Sequence, residues 1–321
     1  MATHFLKTPG ARSLKLAQVL RMTEAEARET FKAIRWAETD GEPVCPVCGC
    51  LEHYWLATQN RWKCRGCHKQ FSLTSGTIFH SRKMEVRNIL AAIAIFTNGV
   101  KGHAALQLSR DLGHDYKTCF VLLHKIREAL GLAIDNSALS GEVEIDGVYI
   151  GGYVKPANEK KNRKNLSRVE NQSGKRQVVV AMRERKGRTR AYVVKSEAQG
   201  VGLAKDHIAP GTTVHADEAS HWDRLHARFP IKRINHQEAY SLNGACTNSA
   251  ESFFSRIRRS EKGIHHHLSG PYLQAYVTEL AWREDYRRAS NGAQFAMLAD
   301  AAAQAPKSNQ WRGYWQRRAE A

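Results

Sequence analysis

Val143-Glu144-Ile145-Asp146-Gly147-Val148-Tyr149-Ile150 is rich in branched and aromatic residues, as a β-strand is, yet carries a carboxylate in its middle. We read a strand over 143–153 and work outward from it. Residues 177–183, with Val178-Val179-Val180, form a second strand. Lys186-Gly187-Arg188 turns the chain into a third at 191–194, and 212–216 and 232–235 supply a fourth and a fifth. Helical stretches lie between and after them. The pattern predicts an α/β domain with a hairpin-rich start.

Three acids stand out by placement. Asp146 sits inside the first strand, Asp217 ends the fourth, and Glu251 begins a helical run over 250–259. A carboxylate in or at the end of a central strand is costly to bury unless it is paired or binds a metal. Two strand carboxylates and one from a helix can hold a pair of Mg2+ or Mn2+ ions, which favour oxygen ligands. Ions about 3.5–4 Å apart activate an attacking oxygen and stabilise a leaving one in phosphodiester chemistry. Salt bridging to the abundant Lys and Arg is the plainer account of any one acid; the three in this order favour the metals. Arg258, two helical turns after Glu251, shares its face and is placed to hold a phosphate. Asn248 is a further ligand or the cap of that helix. His265-His266-His267 lie in a neighbourhood of hard oxygen donors and read as phosphate contacts or surface.

Upstream, Cys45-Pro46-Val47-Cys48 and Cys64-Arg65-Gly66-Cys67 are separated by 15 residues. Two CxxC turns at that spacing converge four thiolates on one tetrahedral zinc, a closed and therefore structural shell. Four unrelated thiols or two disulfides are the alternatives, and Cys50 and His68 are adjacent spare ligands. Tyr54, Trp55, Trp62, Lys63 and Phe71 suit the short strands of a ribbon over 41–80. Residues 23–38 form an amphipathic helix opened by the capping box Thr23/Glu26. Three helices follow at 85–97, 104–112 and 115–130, broken at Asn98-Gly99 and Gly113. The last two, with Lys117, His124, Lys125 and Arg127 on the second, read as a DNA-binding helix-turn-helix or as a plain helical connector. Residues 155–176 carry eight Lys/Arg, including Lys160, Lys161, Arg163 and Lys164, against two acids. They form a solvated loop or a phosphate clamp. The segmentation is 1–40, 41–80, 84–132, 141–290 and a C-terminal tail at 291–321.

The chain has 321 residues and a net charge of +18. An excess of that size points to a polyanion, and nucleic acid fits better than a membrane surface, because no basic amphipathic helix or lipidation motif is present. No apolar run reaches the ~18–20 residues that span a bilayer. With no secretory signal in view, a cytoplasmic, nucleoid-associated protein is expected.

These blocks together resemble the DDE transposases of bacterial insertion sequences, in their zinc-ribbon, ISXO-like group. The resemblance runs over about 25–290 and rests on CPVCG…WKCRGCHKQFSLTSGTIFH, GHAALQLSRDLGHDYKTCFVLLHKIREAL, VEIDGVYIGG, VHADEASHWDRL…INH and TNSAESFFSRIRRSEKGIHHHL. VEIDGVYIGG and NSAESFFSRIRR carry most of it. It implies a ribonuclease H-like catalytic domain behind the zinc ribbon and helical segment, with two catalytic divalent ions. Asp146, Asp217 and Glu251 match the three acids, 33 residues separating the last two. Arg258 matches the family's cation and His236 a supporting position. Phe254 stands where relatives usually have Trp. The implied reaction is cleavage at the terminal inverted repeats, followed by attack of the freed 3′-hydroxyl on target DNA by a homodimer or larger assembly. No nucleotide triphosphate is needed, and no GxxxxGK[ST] loop occurs. A nuclease of the same fold that does not join, and a DNA-binding regulator with an inactive catalytic domain, are the rival readings.

Overall fold

A computed structural model describes residues 4–152, 154–165, 171, 173–235, 241 and 246–319. The chain divides into two compact units, residues 1–134 with 286–321, and residues 135–285.

In the first unit, α1 (Leu16–Arg21) leads into α2 (Glu24–Arg35), whose capping box is formed as expected: the Thr23 hydroxyl accepts from the Glu26 amide, and the Glu26 carboxylate from that of Thr23. The ribbon is an antiparallel meander of β1 (His53–Leu56), β2 (Arg61–Cys64) and β3 (Gln70–Phe71). Then come α3 (Val86–Asn98), α4 (Ala105–Leu112) and α5 (Tyr116–Leu132), with Gly113 left-handed (φ 65°) between the last two. Because α3 is apolar on all sides over Ile89–Phe96, it is buried on all sides. The sequence segments 1–40, 41–80 and 84–132 are not independent. The buried Arg35 guanidinium donates to the Leu73 and Ser75 carbonyls. The Glu24 carboxylate accepts from the first amides of α3, Val86 at 2.9 Å and Arg87 at 3.0 Å.

The second unit is built on one mixed five-stranded sheet. Its strands are β4 (Glu142–Ile150), β5 (Gln177–Glu184), β6 (Thr189–Val194), β7 (Thr213–Ala216) and β8 (Ile231–Arg233), in the order β6-β5-β4-β7-β8. The first three pair antiparallel, and β7 and β8 continue parallel to β4. Alternation along β4 feeds two cores. Val143 and Ile145 pack with α6 (Gly200–His207), Trp222 and Leu225 on one face. Val148 and Ile150 pack with α7 (Asn248–Ser260) and α8 (Leu273–Asp285) on the other. A central strand flanked by a hairpin and two parallel strands, with helices on both faces, is compatible with a ribonuclease H-like fold.

The final segment differs from its reading as a tail. α9 (Asn291–Gln304) and α10 (Tyr314–Ala319) belong to the first unit, where α9 packs on α2, α3 and α5. The alanines that looked like mild composition bias, Ala299, Ala302 and Ala303, are buried in that packing. Small side chains let the helices approach closely. The second unit accordingly closes at Asp285, where the sequence reading has 290.

Candidate metal centres and active site

In the ribbon, the turn after β2 brings its CxxC against the one ending near Cys48. Cys45 and Cys67 sulfurs lie 3.6 Å apart and those of Cys48 and Cys64 3.5 Å. All are free thiols. Those separations are far too long for a disulfide, which needs about 2.05 Å. They approach the edge of a tetrahedron of ~2.3 Å zinc–sulfur bonds, about 3.8 Å. The Cys67 amide donates to the Cys64 sulfur and helps hold that thiol down at about 6, where it readily gives the thiolate a metal requires. The spare Cys50 is turned aside, its sulfur facing the Glu52 backbone.

In the second unit, β4 runs past the end of β7, whose last β4 partner register is Glu144↔His215. Asp146 lies in that overhang and Asp217 one residue beyond β7, so the two strand acids meet at the sheet's open end. They are joined by a residue the sequence reading missed. Glu197, in a turn following β6, places a carboxylate oxygen so that those of Asp146, Glu197 and Asp217 all lie within 4.8 Å of one another. Gly147 makes room for it: a Cβ there would stand 2.5 Å from a Glu197 carboxylate oxygen. Glu251 stands outside this close group, but its negative charge still reaches Asp146.

The electrostatics follow. Burial, then the charges of Asp217, Glu197 and Glu251, push the Asp146 carboxyl from its ordinary 3.8 up to about 8; only the Gly147 amide, at 2.7 Å, opposes them. Burial and the Asp217 charge raise Glu197 as well. Among the described residues no ion pair is formed by the Asp146 or Asp217 carboxylate; Arg233 donates instead to the Asp217 backbone carbonyl, at 2.5 Å. His221 lies 3.9 Å from Glu197, and burial holds its pKa down. The three close carboxylates form a donor set suited to hard divalent cations.

Glu144, two residues before Asp146 on the same face, has the opposite fate. It is 1% exposed and fully paired, accepting from Arg185 Nε at 3.2 Å and from the Ser249 and Ala250 amides at 2.7 and 3.2 Å. The latter two amides open α7, so this carboxylate anchors the helix start that carries Glu251. Arg183 reinforces the joint, donating to the Ser249 carbonyl at 2.8 Å. Arg258, two turns on, is exposed and makes no hydrogen bond or ion pair among the described residues. The histidine triplet forms no metal group there either. His265 packs on Tyr276 and His266 turns the chain left-handed.

Of the expected DNA contacts, Lys117, Lys160, Lys161, Arg163 and Lys164 are exposed, and Lys125 is half-buried. Arg127 is a correction. It is 2% exposed, with its guanidinium 5.8 Å from the Phe96 ring centre, because α5 turns that side toward α3. His124 is fully buried against Trp311. Arg168 and His236 lie outside the described residues.

Residues 138–285, nearly the whole second unit, match the ISXO2-like transposase domain. Residues 22–70 match the transposase zinc-ribbon domain. The chain is 22% identical over 280 residues to an uncharacterized protein in transposable element ISH50 of Halobacterium salinarum, spanning 83% of this chain and 93% of that protein. No solved structure matches. No helix among the described residues is long and apolar enough to cross a membrane.

Proposed function

We propose that this chain, in which residues 138–285 match an ISXO2-like transposase domain and residues 22–70 a transposase zinc ribbon, is an insertion-sequence transposase that cleaves the ends of its element and joins the freed 3′-hydroxyls to target DNA. The observation that carries this reading is the meeting of Asp146, Glu197 and Asp217 within 4.8 Å at the end of a central strand. Asp146, Asp217 and Glu251 would hold two divalent ions, Mg2+ or Mn2+, with Glu197 as a fourth carboxylate beside them. Such ions would make the attacking hydroxyl a stronger nucleophile and stabilise the departing oxygen. Asp146 would have to give up its proton to coordinate, so its burial would couple ion binding to proton release. Arg258 holds the phosphate under attack from the helix that Glu144 anchors. One phosphodiester is hydrolysed, and a second is exchanged for a bond of similar energy. The protein therefore supplies position and charge rather than fuel.

Zinc held by Cys45, Cys48, Cys64 and Cys67 keeps the ribbon folded, and the ribbon and the α4–α5 hairpin bind the terminal inverted repeats. Lys160, Lys161, Arg163 and Lys164 clamp the sugar–phosphate backbone. Two ends must be cut and joined together, so a homodimer or larger assembly forms on DNA. The test is incubation of the purified protein with Mg2+ and duplexes carrying the host element's ends, followed by strand analysis. Asp146→Asn and Glu251→Gln should abolish nicking and joining while leaving duplex binding intact. A variant that still cuts refutes the assignment, and nicked product with no joined strand reduces the protein to a nuclease.

A further inference from the structure

The first unit holds a groove of about 1030 Å3 where the start of α5 meets the segment leading into α10. The metal chemistry above does not use it, although its α5 wall belongs to the hairpin assigned to the terminal repeats. Its walls combine two kinds of side chain. One is aromatic: Trp311 is buried against Phe120 and His124, and Tyr314 and Trp315 continue from it toward the opening, their ring centres 5.2 Å apart. Trp315 is fixed to α5, donating from Nε1 to the Lys117 carbonyl at 3.2 Å. Tyr116, across the groove at the first turn of α5, is 45% exposed.

The other kind is cationic. Arg82, Lys83, Lys117, Lys125 and Arg312 line the groove against one acid, Asp115. Lys125 is the telling one. Burial lowers its pKa, the Glu128 charge one turn away only partly offsets this, and it has no hydrogen bond or ion pair among the described residues. His80, also in the wall, is held below its usual range by burial and then by the charges of Lys307, Arg312 and Lys125. Five cations set against one lining carboxylate, with Arg82 reaching Glu24 outside the groove at 3.9 Å, leave an excess of positive charge that a bound anion relieves. The exposed ring of Tyr116 and the half-buried rings of Tyr314 and Trp315 beside them rule against an inorganic anion as the natural occupant, since phosphate gains nothing from a π-face. A B-form duplex, which presents only groove edges and backbone, has no free base face to offer. Rings that stack bases within a basic channel are the means by which proteins grip unpaired strands.

We propose that this groove binds a short single-stranded stretch of DNA, stacking bases on Tyr314, Trp315 and Tyr116 and holding phosphates with Lys117, Lys125 and Arg312. The inference rests on the reading of the protein as a DNA transposase and deepens it, assigning the C-terminal helix to the grip on unpaired nucleotides of the substrate.

The test uses the full-length, zinc-loaded protein, a fluorescent oligo(dT) of eight to ten nucleotides and a blunt duplex of the element end. Wild type should bind both, with tryptophan fluorescence quenched by oligo(dT). Trp315→Ala and Tyr314→Ala should each weaken oligo(dT) binding roughly 5- to 150-fold, from ~1–3 kcal/mol per stacked base. Duplex binding and Mg2+-dependent nicking should stay within about twofold. The pair Lys125→Gln/Arg312→Gln, which removes no packing ring, should lower the salt slope of oligo(dT) binding by about 1.4, from ~0.7 per phosphate contact on a single strand. Unchanged oligo(dT) affinity and slope in these variants overturn the groove while leaving the transposase reading in place. Equal weakening of duplex and single strand in Trp315→Ala and Tyr314→Ala also overturns it. A wild type that binds and nicks no DNA overturns both.

Discussion

Asp146→Asn should stabilise the magnesium-free protein while destroying its activity. The Asp146 carboxyl is raised from 3.8 to about 8 by burial and by three neighbouring carboxylates. Above pH 3.8 the unfolded chain ionises this group freely, whereas the folded chain keeps the proton until about pH 8. The folded state binds more protons, so stability falls as pH rises through that window, by about 1.4 kcal/mol per pH unit. At pH 7 the penalty reaches at most about 4 kcal/mol, and it is fully developed just above pH 8. An amide of the same shape carries no charge to suppress, and its oxygen still accepts from the Gly147 amide. For a unit of this size, 1 kcal/mol moves Tm by roughly 2–4 °C. The variant should therefore melt higher by up to roughly 8–16 °C at pH 7, in buffer free of divalent ions other than the bound zinc. The advantage should vanish near pH 4. Calorimetry of both proteins across pH 4–8.5, with and without Mg2+, is the assay. Mg2+ should raise the Tm of wild type and leave that of Asp146→Asn unmoved. A variant that melts at or below wild type at pH 8, or one whose advantage persists at pH 4, would show that the carboxylates do not crowd as described.

Three further outcomes are expected. Cys64→Ser should lose bound zinc, measured by metal analysis, together with amide protection in 45–71, because a structural zinc contributes on the order of 10 kcal/mol to so small a module; full zinc content would contradict the four-thiolate shell. Gly147→Ala sets a Cβ 2.5 Å from the present Glu197 oxygen, so the carboxylate must swing out of the close group; Mg2+ affinity should drop several-fold with little change in Tm, and unchanged affinity would remove Glu197 from the site. Replacing Lys160, Lys161, Arg163 and Lys164 together by Gln should lower the salt slope of duplex binding by up to about 3.6, at ~0.9 per phosphate contact; an unaltered slope would leave that loop a solvated surface.

Much of this protein is written in local sequence. The capping box at Thr23/Glu26, the break at Gly113, the branched and aromatic run of β4 and the CxxC turns each depend on residues a few positions apart, and each formed where expected. The two strand aspartates were legible for the same reason, since a charge inside an apolar strand is conspicuous. What tertiary structure alone decided are the matters of which surface faces which. Glu144 and Asp146 look alike along the chain. Yet the start of α7 and Arg185 neutralise the first, while the second is left among like charges. Glu197 lies 51 residues from Asp146, in a turn whose own sequence signals only a cap; strand order carries it to the missing side chain of Gly147. Arg127 is as basic as Lys117, but helical rotation against α3 buries one and exposes the other. The supposed tail became α9 and α10 because alanines gain burial only when other helices are there to pack against. Local hydrogen bonding and periodicity are fixed by neighbours in sequence, whereas burial and electrostatic fields are sums over neighbours in space.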